Sequence, residues 1–301
     1  MNWKKLGKIY NFKPIDNYLL SHASNPLAIH LKDDIYRIFF SGRDKYNKSS
    51  VGYVDIDILK QKVIEECKEV VFKYGGKDSF YSHGVSIGNM YQVINKNYIQ
   101  FMAWQIRDGG HWRGDIGRLK LNDDFTSLTL DPKKIYIGCD DEDEVSLSYS
   151  WVIEDEGIYK MWYGSTINWS SENGEMIHVI KYATSIDGKN WKKHGLAIPY
   201  EVGVAQAFSR PTVIKDKQGY HMWFSYRSGN GTKYRIGYAH SLDGISWSRE
   251  KESGIDVSKS GWDSEMICYP FVFDHKEKRY MLYNGNDYGK SGFGLAVLEG
   301  S

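Results

Sequence analysis

An aromatic octet recurs five times along the 301-residue chain and leaves few architectures open. It reads YRIFFSGR at 36–43, YIQFMAWQ at 98–105, YKMWYGST at 159–166, YHMWFSYR at 220–227 and YMLYNGND at 280–287, at steps of 62, 61, 61 and 60 residues. Each octet alternates and is rich in β-favouring residues, so each predicts a strand. Further strand-like runs lie between them: SVGYVDID at 50–57, HVIKYAT at 178–184 and YRIGYAH at 234–240. Two of these lead into matching turns, SIDGKNW at 185–191 and SLDGISW at 241–247. Asp-Gly between strand runs is a strong hairpin signal, and the Trp that follows is placed to cover the hairpin's apolar face. Only residues 56–70 carry a pattern compatible with a short helix.

A period near 60 residues that holds several short strands means one sheet per repeat. One sheet cannot bury both faces, so the sheets stack, and radial closure removes the open ends. The predicted fold is all-β, a five-bladed β-propeller forming a single domain over residues 1–301. The last repeat ends in GFGLAVLEG, which supplies a third strand. The N-terminal run at 3–10 is expected to add the outer strand of that blade and close the ring.

Composition narrows the partners. The chain carries 39 basic and 38 acidic residues, a net charge of +1, which argues against nucleic acid or an anionic membrane recognised by bulk charge. Aromatic residues make up 15% of it, which suits strands and sugar-stacking surfaces equally. Cys67, Cys139 and Cys268 are scattered without metal-ligand spacing, and His111, His178 and His221 stand alone. Reduced thiols in a cytoplasmic protein, with no cofactor, are the expectation. The N-terminus has no apolar run of leader length, and no 18-residue apolar span occurs, so no membrane insertion is expected.

In a propeller the first strand of each blade follows the axis and the second returns antiparallel. First-strand starts and second-strand ends therefore meet at one mouth of the channel. With the octets as second strands, Arg43, Gln105, Thr166, Arg227, Asn284 and Asn286 fall there. The first strands are expected from His22, Ser82, Ser148, Phe208 and Ser264. Pro26, Pro211 and Pro270 mark strand starts, because proline is tolerated at a strand's first position but not inside its ladder. The residues just before form a polar ring: His22, Ser24, Asn25, His83, Ser150, Trp151, Ser209, Arg210, Asp263 and Glu265.

YATSIDGKNW at 182–191, YRIGYAHSLDGISW at 234–247, GWDSEMICYPFVF at 261–273 and YMLYNGNDYGKSGFGLA at 280–296 resemble the glycoside hydrolase propellers of families 32, 43, 62, 68 and 130. The closest resemblance is to a family-32-like subgroup, and it runs over nearly the whole chain. It implies a five-bladed fold, a sugar or glycoconjugate substrate, and a role in surface-polysaccharide or glycan metabolism. Some relatives hold a calcium ion in the channel, so a structural ion there stays open. The family's usual chemistry does not carry over. Where families 43 and 32 place a carboxylate in the first blade stands Asn25, and where a later general-acid Glu is expected stands Arg210. Glycoside hydrolysis ordinarily needs two carboxyl groups flanking the bond. Glu265 and Asp263 remain, with Asp115 a further candidate.

The ring offers positive charge instead. Arg43, Arg210 and Arg227 are placed to converge, near His22 and His83, and the guanidinium fork matches carboxylate or phosphate oxygens. The alternative is that each arginine pairs with a local acid. Glu265 is the first candidate for general acid or base, on the expectation of partial burial. Asp263 either acts beside it or fixes a turn, and His83 is a proton shuttle. Trp104, Trp151 and Trp169 are candidates for stacking on a sugar ring, and Asn284 and Asn286 for holding sugar hydroxyls. Three functions stay open: a carbohydrate-active enzyme acting on a glycosidic or phosphoglycosyl bond of an anionic sugar or sugar phosphate, a sugar-binding propeller without turnover, and a sialidase-like hydrolase.

Overall fold

The structure is a computed structural model that describes residues 1–106 and 110–300. It consists of five four-stranded antiparallel meanders. The N-terminal strand β1 (Trp3–Asn11) stands apart from the first of them. Meander 1 is β2 (Ser21–Lys32), β3 (Ile35–Arg43), β4 (Ser49–Asp57) and β5 (Lys62–Glu66). Meander 2 is β6 (Gly84–Val93), β7 (Lys96–Ile106), β8 (Trp112–Leu121) and β9 (Leu128–Ile137). Meander 3 is β10 (Ser146–Asp155), β11 (Ile158–Asn168), β12 (Ile177–Ser185) and β13 (Lys192–Leu196). Meander 4 is β14 (Ala207–Asp216), β15 (Gly219–Arg227), β16 (Arg235–Ser241) and β17 (Ser248–Arg249). Meander 5 is β18 (Cys268–His275), β19 (Lys278–Asn284) and β20 (Gly292–Leu298), completed by β1. All five octets are second strands, as the repeat predicted.

β1 runs antiparallel to β20 from Trp3 opposite Leu298 to Asn11 opposite Gly292. The chain's start thus finishes the sheet made by its end. The ring itself is not one continuous ladder. A single parallel bridge links β4 to β6 (Ser49 with Gly84) and another links β12 to β14 (His178 with Ala207). Elsewhere neighbouring meanders meet through side chains. Each first strand packs on the next, and β18 packs back on β2. Octet residues fill the layers between sheets: Phe39, Phe101, Trp162 and Trp223 are fully buried.

Two expectations are corrected. Residues 56–70 form no helix. β4 ends and the exposed edge strand β5 follows, its outward residues mimicking a helical pattern. The prolines do not open the first strands. Pro26, Pro211 and Pro270 lie inside them, at register shifts between Ser24 and Leu27, Ser209 and Thr212, and Cys268 and Phe271. A bulge leaves its extra residue outside the ladder, so the missing N–H is harmless there. The residue before each proline, Asn25, Arg210 or Tyr269, has a positive φ of 58°, 48° or 55°. That conformation is rare for residues other than glycine.

Deleting residues 1–12 removes β1 and exposes the surface that Trp3, Ile9 and Tyr10 cover. At about 1.5–3 kcal/mol per large apolar side chain, the loss is a large share of a typical domain's ~5–15 kcal/mol. The melting temperature of the truncated chain is expected to collapse; an unchanged one contradicts the closure.

Candidate functional site

The bulges create the site. In a regular strand neighbouring side chains point to opposite faces, whereas here Ser24 with Asn25, and Ser148 with Tyr149, line one cavity together. The cavity has a volume of about 280 Å³ and receives residues from all five meanders. Meander 1 gives Ser24, Asn25, Ser41, Arg43 and Ser49, and meander 2 gives Ser86, Met102, Trp104 and Trp112. Meander 3 gives Ser148, Tyr149 and His178, with Met176 just before β12, while meander 4 gives Ser209 and Arg227, with Tyr234 just before β16. Meander 5 gives Tyr269 and Tyr288. Ser24, Ser86, Ser148 and Ser209 sit in successive first strands at steps of 62, 62 and 61 residues, matching the octet period. No Asp or Glu is among the described residues of the lining.

Arg210 lies directly behind this cavity and is fully buried. Its Nη1 donates to the Ile87 carbonyl and its Nη2 to the Pro26 carbonyl, both at 2.6 Å, so meander 4 grips meanders 1 and 2 across the channel. No carboxylate pairs with it among the described residues, and its Nε has no partner. Burial pulls its pKa down to about 10, so it stays charged at neutral pH. Arg227 lines the cavity, donates to Glu175 at 2.9 Å and lies over the Tyr234 ring, 4.8 Å from its centroid. Arg43 donates to the Asn47 side chain at 2.7 Å and has no carboxylate partner among the described residues.

Four tyrosines form a wall. Ring centroids are 5.5 Å apart for Tyr149 and Tyr269, 6.2 Å for Tyr234 and Tyr269, and 6.1 Å for Tyr234 and Tyr288. Burial raises the pKa values of Tyr234 and Tyr269, so both stay protonated donors. Tyr288 is presented by a turn in which Asp287 and Tyr288 both have left-handed backbone (φ 53° and 59°). Ser24 Oγ donates to the Tyr288 carbonyl and ties that turn to meander 1.

His178 is wholly buried at the cavity wall. Its Nε2 is 2.6 Å from Ser148 Oγ and its Nδ1 is 2.7 Å from Thr166 Oγ1. Gly164 permits this contact, because a Cβ there would strike both Ser148 Oγ and His178 Nε2. Burial first, and Arg227 second, hold the His178 pKa at about 3.

Of the residues singled out from sequence, Ser24, Asn25, Arg43, Trp104, Ser209 and Arg227 line the cavity and Arg210 backs it. The others are placed elsewhere. Glu265 is not partly buried as expected: its side chain is 56% exposed and salt-bridged to Lys233. The last first strand begins only at Cys268, which leaves Glu265 on the preceding loop. Asp263 is buried and accepts from Lys5 Nζ at 2.7 Å and the Tyr283 hydroxyl at 3.0 Å, which fixes the turn. Asn286 holds the same loop by accepting from the Glu265 N–H at 2.8 Å. Asn284 is fully buried and joins meander 5 to β2, accepting from the Asn25 N–H and donating to the Ala23 carbonyl. Asp115 is buried beside Arg113 and accepts from the Cys139 N–H. Trp151 belongs to the core and packs on Phe271 with centroids 5.3 Å apart. Trp169 stacks on His111, centroids 4.6 Å apart. Gln105 pairs with Arg113 across β7 and β8. His83 accepts from the Ile106 N–H at 3.2 Å, with its pKa lowered by burial and Lys48. His22 contacts Ser21 Oγ at 2.8 Å, with its pKa at about 4 through burial, then Arg43 and Lys290.

Both depressed histidines make stability depend on pH. Below the ordinary value of 6.5 the unfolded chain takes up protons that folded His178 and His22 refuse. The stabilisation is therefore complete above pH 6.5 and is lost as pH falls towards 3–4, by about 1.4 kcal/mol per pH unit for each such group. Carboxylates begin to titrate only lower in this range. Melting curves between pH 6.5 and 5 are expected to fall steeply for the natural chain and less steeply for His178→Asn; equal slopes contradict the burial of a neutral His178.

No family model matches the chain. Two curated proteins of Mycobacterium tuberculosis, Uncharacterized protein MT1551 (strain CDC 1551 / Oshkosh) and Uncharacterized protein Rv1502 (strain ATCC 25618 / H37Rv), are each 40% identical over 304 residues, covering 99% of this chain and 100% of theirs. Among solved structures, one described as "Glycoside hydrolase" superposes with a TM-score of 0.76 at 14% identity, over 98% of this chain and 92% of that one. A structure described as "The GH130 family of mannoside phosphorylases contains glycoside hydrolases that target beta-1,2 mannosidic linkages in Candida mannan" gives a TM-score of 0.69 at 15% identity, over 99% and 94%. The Bombyx mori GH32 beta-fructofuranosidase BmSUC1 gives 0.68 at 11% identity, over 92% and 61%. The chain belongs to one family with the two mycobacterial proteins, and its fold is that of the β-propeller glycoside hydrolases.

Proposed function

We propose that the chain is a carbohydrate-active protein that takes one anionic sugar unit into the axial cavity and acts on a glycosidic or phosphoglycosyl bond of it. The observation that carries this is a lining with two arginines, an aromatic wall and no carboxylate among its described residues. Size supports a single unit: about 280 Å³ is at the small end of ligand pockets, roughly 300–1,000 Å³. Trp104 and Trp112 offer faces for a sugar ring, and serine and tyrosine hydroxyls offer partners for its own hydroxyls. Solved glycoside hydrolases and mannoside phosphorylases with this fold support a sugar as the ligand.

The missing carboxylate pair favours a second reading, a sugar-binding propeller without turnover. Ordinary glycoside hydrolysis needs an acid and a base or nucleophile flanking the bond, and Glu265 and Asp263 are both engaged outside the lining. The sialidase-like reading has less support, because Arg210 spends two of its nitrogens on backbone carbonyls.

Thermal-shift measurements against neutral sugars, uronic acids, sugar phosphates and nucleotide sugars test the proposal. A ligand of the folded state adds about 2.7 kcal/mol at a hundredfold excess over its Kd. Stabilisation is expected only from anionic sugars and is expected to vanish in Arg227→Ala. Stabilisation by neutral oligosaccharides alone would sink the proposal and make the arginines structural. For any ligand that binds, a turnover assay with Glu265→Gln separates the two readings: turnover lost with binding kept assigns a catalytic carboxylate to Glu265, while no turnover in either protein assigns binding alone.

A further inference from the structure

The charges around the cavity do not cancel, and their sum selects among anions. Arg43 faces it without a carboxylate partner among the described residues, and Arg210 lies fully buried behind it in the same condition. Arg227 has one acid, Glu175. Among these four groups three positive charges stand against one negative, a balance of +2, with Arg210 fully buried, Arg227 largely so and Arg43 at the outer edge. A sugar carboxylate brings −1 and leaves half of that unmatched. A phosphate monoester brings about −1.5 to −2 at pH 7 and matches it. Unmatched charge is costly where water is excluded, as it is around Arg210 and largely around Arg227, so the pairing that completes the balance is favoured.

The donors point the same way. Tyr234, Tyr269 and Tyr288 line the cavity, and their hydroxyls have no protein acceptor among the described residues. Together with Arg43 and Arg227 they come from three neighbouring meanders, the fourth, fifth and first. A tetrahedral group with three terminal oxygens accepts from several directions, whereas a carboxylate offers two oxygens in one plane. Asn25 Oδ1, buried and without a partner, is an acceptor for a sugar hydroxyl in the same lining.

We propose that the anionic group is a phosphate monoester on a single sugar, seated between Arg43 and Arg227 against the tyrosine wall. This rests on the reading of the cavity as an anionic-sugar site. Calorimetric titration with glucose 1-phosphate, glucose 6-phosphate, glucuronate, inorganic phosphate and glucose tests it. A sugar monophosphate is expected to bind at least about tenfold more tightly than glucuronate or inorganic phosphate, the scale of one charge-assisted contact. Arg43→Gln, which disturbs only a surface contact with Asn47, is expected to weaken it about tenfold or more with an unchanged melting temperature. Glucuronate binding as tightly as the phosphates would overturn the phosphate assignment and leave the anionic-sugar reading standing. Inorganic phosphate binding as tightly as its sugar esters would overturn it too. Binding of glucose alone would overturn both.

Discussion

Arg210 is the tie on which the ring and its cavity both depend. A propeller of this kind is not held by one continuous ladder, and its meanders meet mostly through side chains. At the axis, where five first strands converge, one guanidinium from the fourth meander satisfies carbonyls of the first and second. Those carbonyls belong to the bulges, where the ladder is broken and backbone groups lose their usual partners. Without Arg210 each would be a buried acceptor left unpaired, at about 1–3 kcal/mol apiece. The same side chain brings an uncompensated charge into the interior, so the cohesion of the ring and the polarity of its mouth have one source.

The architecture was legible in the sequence because the repeat imposes it. Five octets at near-constant spacing marked the second strands, and the short last repeat showed that an outer strand had to come from elsewhere, as β1 does. Arg43 and Arg227 were legible for the same reason, since each ends an octet. Much of the rest was hidden by the bulges. One extra residue changes which side chains face the axis, so Tyr149 lines the cavity while Trp151, two positions on, enters the core. Tyr288 was hidden because its place depends on two left-handed residues that no alternation rule foresees. His178 stands alone as a histidine in the sequence, although its strand, β12, follows an octet ending in Thr166, one of its two partners. The serines at steps of 62, 62 and 61 residues were a signal in the sequence that the polar ring only half captured. Glu265 and Asp263 lie outside the lining because the fifth first strand starts three residues after Glu265, beyond a loop that Asp263 itself holds.

Fold and chemistry separate cleanly here. The scaffold is shared with glycoside hydrolases, yet no Asp or Glu is among the described residues of the cavity lining, where Asn25 stands with Arg210 behind it. The result is a cavity that gives hydrogen bonds and presents positive charge, with a neutral histidine locked between Ser148 and Thr166 rather than poised to move protons. A fold hosts many chemistries, and the site decides among them. The reading we propose for this site is an anion held by Arg43, Arg227 and the tyrosine wall.

The most direct measurement is a crystal soaked with tungstate, an electron-dense tetrahedral oxyanion, with anomalous density recorded across the whole chain. The account predicts a single strong peak in the axial cavity, within hydrogen-bond reach of Arg227, Arg43 and the tyrosine hydroxyls. Peaks confined to surface lysines, with an empty cavity, would contradict it.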